Sequence, residues 1–203
     1  MRIAVLGASG RTGGEVLIAG RGRGHRMVPV VRRPGSGGEG ERIADGRDAD
    51  ALRVALADID AAVFTIGPTP ATPDPAVMRD SAAATLTALP SGARLAVVTA
   101  SGPFVAGDDP PTRFLAKPIL RRVFREAWAD IAATDRLVAA SDAAWTIARP
   151  PMLQDGPARG RYRERRDGNV RWGFALRRAD LAVALLDALD DPTTVHAVVS
   201  YAN

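Results

Sequence analysis

Short apolar runs and stretches of helical period take turns along the whole chain. The runs read as strands over residues 2–6, 26–31, 60–65, 94–99, 144–148 and 196–201. The periodic stretches read as helices over 12–20, 48–57, 75–88, 113–140 and 178–189, the fourth broken near Pro118. The last helix is the best marked. Leu181, Leu185 and Leu189 recur on one face, Asp180 suits the dipole in the first turn, and Pro192 follows the end. Strands alternating with helices predict an α/β fold, a doubly wound parallel sheet with helices on both faces. No repeat or linker divides the chain, so residues 1–203 are expected to form a single domain.

In such a sheet ligands bind outside the carboxyl ends of the strands, and there the sequence turns irregular. Residues 33–40 are glycine-rich and are expected to be flexible, 66–75 hold four prolines, and 102–112 and 150–173 follow later strands. Directly after the first strand stands Gly7-Ala8-Ser9-Gly10-Arg11-Thr12-Gly13. The first glycine permits a tight turn, the second lets backbone N–H groups approach a phosphate, and the third brings helix and strand together. The helix N-terminus adds free donors and a favourable dipole. Strand, glycine turn and helix in this order predict dinucleotide binding by Gly7, Ser9, Gly10, Arg11, Thr12 and Gly13.

The loops after the other strands extend the site. Arg32 and Arg33 stand where an NAD-preferring site places an acidic residue for the ribose 2′-OH. Two guanidiniums suit a 2′-phosphate instead, with Arg11 as a third contact, so NADP(H) is the expected cofactor. Asp48 reads as the N-cap of the second helix, and Asp45 as a candidate acceptor for an adenine amino group. Thr65 and Gly67 are expected along the ribose and phosphates. Ser101 and Thr99 are expected beside the nicotinamide, where a hydroxyl would polarise a substrate carbonyl. An unassisted serine is a poor proton donor, which makes polarisation the expected role. The alternative for Thr99 is a strand-end residue that satisfies backbone groups.

Composition narrows the picture only a little. The net charge is +4 with a pI near 10.5, and Lys117 is the only lysine among 27 basic residues. An arginine-biased composition accounts for this, and a nucleic-acid partner is disfavoured unless the cations share one face. The densest cluster is Arg159, Arg161, Arg163, Arg165, Arg166 and Arg171. Cysteine is absent and His25 and His196 are the only histidines, which disfavours metal sites and leaves both histidines structural roles. Residues 3–6 are too short for the apolar core of a secretory leader, and no run approaches the ~18 apolar residues of a membrane span. A cytoplasmic protein without membrane contact is expected. The apolar residues Phe114, Leu115, Ile119, Leu120, Val123, Phe124, Trp128 and Ile131 are expected to be mostly core, the surplus lining a substrate pocket or a dimer interface.

The glycine motif, Val31-Arg32-Arg33-Pro34 and Trp145-Thr146-Ile147-Ala148-Arg149-Pro150-Pro151 occur in the order and spacing of one family. The chain resembles the atypical short-chain dehydrogenase/reductases of the NAD(P)H-binding type. Within these it is similar to NmrA-like proteins and to the biliverdin IXβ reductase/flavin reductase group. Asp155-Gly156-Pro157, Gly160-Arg161-Tyr162 and Arg178-Ala179-Asp180-Leu181-Ala182 extend the likeness over most of the chain. The resemblance implies a Rossmann-type fold with NADP(H) on the carboxyl edge of the sheet. It also implies that Pro150 borders the nicotinamide and that residues 151–173 cover the substrate.

One departure matters. The main branch of that superfamily uses a Tyr with a Lys four residues later, and neither Tyr162 nor Tyr201 has that partner. Lys117 is expected on the surface or at a phosphate. The reading that follows is an NADPH-dependent reductase of a small flat or conjugated acceptor of flavin, quinone or tetrapyrrole type. It would act by direct hydride transfer between well-positioned partners. A non-catalytic NADP(H) sensor of NmrA-like type, with a regulatory protein partner, is the second reading, and a sugar epimerase the third. A homodimer is compatible with each.

Overall fold

The computed structural model describes residues 1–68 and 74–203. The centre of the proline loop expected over 66–75 lies outside the described residues. Five parallel strands follow from the apolar runs: β1 (Arg2–Leu6), β2 (Arg26–Val31), β4 (Ala61–Phe64), β5 (Arg94–Val98) and β6 (Ala144–Arg149). With a short β3 (Arg42–Ile43), an edge strand β8 (Arg163–Arg166) and β10 (Ala197–Ala202), they form one sheet in the order β3-β2-β1-β4-β5-β6-β10-β8. All neighbours are parallel except β8, which runs antiparallel to β10. This is the Rossmann-like α/β arrangement that the alternation predicts.

Side-chain alternation splits the core into two layers. Ile3 and Val5 of β1 face one side, where α1 (Arg11–Gly22) and α6 (Arg178–Asp190) contribute Val16, Leu17, Leu181, Leu185 and Leu189. Ala4 and Leu6 face the other. There they meet residues of α2 (Ala49–Ala55), α3 (Val77–Ala88) and α5 (Arg125–Ala139), among them Leu52, Ala82 and Val138. Asp48 caps α2 as expected, accepting hydrogen bonds from the N–H groups of Asp50 and Ala51 at 3.0 Å. No helix among the described residues is long and apolar enough to cross a membrane.

Two expectations need correction. Residues 113–140 are not one helix broken at Pro118. A π-turn over Thr112–Ala116 runs into α4 (Lys117–Val123), where Pro118 occupies the first turn, in which its missing N–H costs nothing. The break falls instead at Phe124, whose backbone (φ −104°, ψ 26°) leaves helical geometry between α4 and α5. Nor is this region mostly core: Phe114, Leu115, Ile119, Val123 and Phe124 are exposed, because α4 stands off the sheet beyond the first turns of α5. Within residues 33–40, the Glu41 carboxylate accepts the N–H groups of Gly35 and Gly37 at 2.5 and 2.7 Å. Those bonds hold its carboxyl below the usual range.

The segment 150–173 carries structure that single runs of sequence do not announce. Short β7 (Met152–Gln154) pairs in parallel with β9 (Ala175–Arg177), and β8 lengthens the main sheet. Part of the arginine cluster serves this edge. Arg163 donates to the carbonyls of Arg171 and Asn203, and Arg166 to the Thr193 carbonyl. A charged edge strand also discourages pairing with another chain.

Candidate functional site

The strand order reverses between β1 and β4, and a cleft of about 420 Å³ opens there at the carboxyl ends of the strands. Its walls include Gly7, Ser9 and Gly10 after β1, Arg32 after β2, Asp45 and Gly46 after β3, and Thr65 and Gly67 after β4. Eight of the residues expected to bind cofactor are thus distributed along one cleft: Gly7, Ser9, Gly10, Arg32, Asp45, Thr65 and Gly67 line it, and Gly13 shapes it from behind.

The glycine turn fits a pyrophosphate for reasons visible in its packing. Gly7 adopts φ +80°, and a Cβ there would lie 2.9 Å from the Thr65 hydroxyl. Gly13 packs so tightly that a Cβ would lie 2.4 Å from the Gly7 carbonyl oxygen. Gly10 caps α1 without a side-chain hydrogen bond, and the first turn of α1 holds no acidic residue. The leading N–H groups of α1 are therefore left for an anion. Thr65 Oγ1 donates to the Leu6 carbonyl at 2.7 Å, so this hydroxyl fastens the two strand ends together.

At the far end of the cleft, Arg32 is exposed on the wall and forms no ion pair with the described residues. Asp45 lines the cleft and accepts the Arg47 N–H at 3.0 Å, a turn bond that occupies one carboxylate oxygen. A Cβ on Gly46 would lie 2.6 Å from Ile66 Cδ1, so the backbone passes close beneath that side chain. Three expected contacts lie elsewhere. Arg33 is exposed outside the cleft walls, and Thr12 is half-buried within α1. Arg11 is not among the cleft walls and pairs with Asp155 at 3.0 Å, a carboxylate it shares with Arg178 at 2.5 Å.

Beyond the pyrophosphate turn, the ends of β5 and β6 are stitched together. Thr99 N–H donates to the Ala148 carbonyl and Ser101 N–H to the Pro150 carbonyl, each at 2.9 Å. Ser101 is half-buried and its hydroxyl takes no part in holding the loop. The Thr99 hydroxyl is buried and bonds no backbone group; it is directed at the Asp135 carboxylate, whose charged form it favours. Beneath them Arg149 donates through Nε and Nη2 to one oxygen of Asp135, at 2.7 and 2.6 Å. The Phe104 ring covers the guanidinium at 3.4 Å. Burial pushes the Asp135 carboxyl up and Arg149 opposes it. Sequence reasoning missed Asp135, whose only signal is an acid inside an otherwise amphipathic helix.

Lys117 is not on the surface. Its ammonium is buried against Asp108 at 2.6 Å, and it donates to the carbonyls of Ser101 and Phe104. Asn169 Nδ2 reinforces the same loop, donating to Phe104 O at 2.6 Å and Asp108 at 2.8 Å. Burial lowers the Lys117 pKa, with Asp108 opposing. Tyr162 is likewise engaged, its hydroxyl donating to Asp187 at 2.8 Å, and burial raises its pKa.

A family model described as NAD(P)H-binding matches residues 7–192. The uncharacterized protein YwnB of Bacillus subtilis is 26% identical, over 95% of this chain and 93% of its own length. Among solved structures, a proposed NADH-flavin reductase of Streptococcus pneumoniae superposes with a TM-score of 0.80 at 23% identity, covering 100% of this chain and 99% of that one. The anaerobilin reductase ChuY of Escherichia coli O157:H7 does so with a TM-score of 0.79 at 20% identity, covering 100% and 97%. These two likenesses show the shared fold.

Proposed function

The chain belongs to the NAD(P)H-binding family, and from that premise we propose that it is an NADPH-dependent reductase of a small flat or conjugated acceptor of flavin, quinone or tetrapyrrole type. In this reading Gly7, Ser9 and Gly10 with the N–H groups of α1 hold the pyrophosphate, and Arg32 holds the 2′-phosphate. Asp45 and the slot between Gly46 and Ile66 take the adenine. The nicotinamide ring is assigned to the stitched ends of β5 and β6, beside Ser101 and Pro150. When bound, the cofactor supplies a hydride, which carries two electrons to the acceptor, and water supplies the accompanying proton.

The residues do the positioning. Arg149, clamped by Asp135 and Phe104, fixes the end of β6, while Lys117 and Asn169 fix the loop after β5. The Ser101 hydroxyl is then free to donate a hydrogen bond to an acceptor heteroatom as charge gathers on it. Residues 150–173 are assigned the covering of the substrate. The observation that carries the reductase reading is the engagement of Tyr162 with Asp187 and of Lys117 with Asp108. Both groups are committed elsewhere and Tyr201 is buried in the core, which disfavours a tyrosine–lysine route for alcohol oxidation, whereas reduction of a conjugated acceptor needs only alignment.

The test follows NADPH oxidation by absorbance with riboflavin, FMN and a naphthoquinone, beside titration of NADPH and NADH. Turnover with a conjugated acceptor and tighter NADPH binding are expected. A second reading, a non-catalytic NADP(H) sensor with a protein partner, is favoured by the exposed apolar residues Phe114, Leu115, Ile119 and Val123. Tight NADP⁺ binding with no turnover on any acceptor would select it.

A further inference from the structure

A second cavity, of about 770 Å³, opens one residue beyond Ser101. One wall is the loop at Gly102 and Pro103, a second is α4 with the π-turn before it, and the third is the start of α5 at Trp128 and Ala129. Its volume falls in the roughly 300–1,000 Å³ range of small-molecule sites. Arg113, Arg121, Arg122 and Arg125 all line it, and no carboxylate does. None of these four guanidiniums forms an ion pair with the described residues, whereas arginines such as Arg23, Arg42, Arg47 and Arg79 do. The remaining cation, Lys117, is already neutralised by Asp108. A concave face carrying four uncompensated charges focuses a positive potential.

The floor is flat and aromatic. A Cβ on Gly102 would lie 2.9 Å from Trp128 Cε2 and Nε1, so the indole rests directly on the backbone that leaves Ser101. Phe124 stacks on the same indole, with centroids 6.3 Å apart and planes 23° from parallel. Guanidiniums around an aromatic floor match a planar ring that carries an anionic tail. A phosphate monoester, with nearly two charges and three acceptor oxygens at neutral pH, uses more of these donors than a single carboxylate can.

We propose that this cavity binds the phosphate tail of a flat, phosphorylated acceptor and thereby sets the enzyme's choice among acceptors with the same reducible ring. The proposal rests on the reductase reading above for the identity of its ligand as substrate, but not for its being bound. The cavity selects FMN over riboflavin, two molecules with one ring system that differ in the phosphate.

The experiment measures both binding, by quenching of flavin fluorescence at low salt, and KM in NADPH-dependent flavin reduction. Wild-type protein is expected to bind FMN at least tenfold more tightly than riboflavin, with roughly two guanidinium–phosphate contacts formed. That ratio should shrink as ionic strength rises, because the arginines are exposed. In the double variant Arg121→Gln, Arg122→Gln it should fall to within about twofold of unity; Arg113→Gln with Arg125→Gln tests the other walls independently. Thermal unfolding establishes that each variant is folded.

Equal wild-type affinities, or a preference that survives in both folded variants, overturns the proposal. Loss of binding to phosphatidylserine vesicles with an unchanged flavin preference overturns it too, assigning the arginines to a membrane surface. Selective FMN binding without NADPH oxidation supports the cavity while removing the reductase reading. Reduction of both flavins with one KM does the reverse.

Discussion

Substituting Lys117 by alanine isolates what holds the loop that carries Ser101. The ammonium lies 2.6 Å from Asp108, with side-chain exposures of 10% and 6%. Its removal strands a carboxylate in a dry site, and breaking a buried pair in this way costs about 3–5 kcal/mol. Asn169 still donates to that carboxylate and to the Phe104 carbonyl, which places the expected loss near the lower limit, about 3 kcal/mol. For a domain of this size the melting temperature should fall by about 6–12 °C. Urea unfolding reads the loss as a lower midpoint at constant slope. Removing the carboxylate as well, in Lys117→Met with Asp108→Asn, should recover part of it, because the pair itself is a poor stabiliser even though its halves cannot stand alone. The pH dependence has a definite sign. Burial depresses the folded-state pKa of Lys117 below the ordinary 10.5, so between the two values the unfolded chain binds more protons. Stability from this group is therefore gained as pH rises through that window and lost as it falls, and the alanine variant should lack the rise. As the only lysine, Lys117 can also be followed by amine acetylation and peptide mass, slow in the native protein and fast in denaturant. A loss under about 1 kcal/mol, or fast native acetylation, would refute the buried-clamp account.

Three further outcomes test the cofactor side. Gly13→Ala forces a Cβ to within 2.4 Å of the Gly7 carbonyl and 2.8 Å of Ala8 Cα, both backbone; it should destabilise by about 1–3 kcal/mol and weaken NADPH at least tenfold by calorimetry. Arg32→Glu should weaken NADPH by roughly ten- to hundredfold while NADH changes little, and an equal loss for both would sink the 2′-phosphate assignment. Asp135→Ala leaves the half-buried Arg149 without its carboxylate and should cost about 3 kcal/mol in unfolding, with kcat falling more than the Kd for NADPH because the end of β6 loses its anchor.

What could be read in the chain and what could not divide along physical lines. Strands β1, β4 and β5 are legible because a strand buried on both faces must be apolar at every position, as Ile3-Ala4-Val5-Leu6 is. The glycine turn is legible because its requirement is local: Gly7 and Gly13 are dictated by atoms of the same loop and of the strand end beside it. Periodicity in the π-turn and α4 shows an apolar face but not whether protein or solvent meets it, and there the expectation of core failed for Phe114, Ile119 and Val123. Lys117 was misplaced for a related reason. Burying it depends on Asp108 and Asn169, the latter 52 residues away in sequence, and nothing near Lys117 signals them. The pair β7–β9 is equally silent, since strands of three residues carry no measurable alternation.

The same division separates the two ends of the site. The cofactor end is made by backbone: N–H groups, glycines and strand ends whose geometry follows from a few adjacent residues. The acceptor end is made by side chains that converge from the loop after β5, α4 and α5, among them Gly102, Arg121, Arg125 and Trp128. Substitutions there leave the sheet and the glycine turn untouched, because α4 contributes no apolar side chain to either core layer. A chain built this way can exchange the arginines and the aromatic floor without disturbing its nicotinamide site. The consequence is specific. Exchanging Arg121 and Arg122 should move acceptor preference while NADPH affinity stays put, whereas no exchange at the glycine turn should move preference without also moving NADPH affinity.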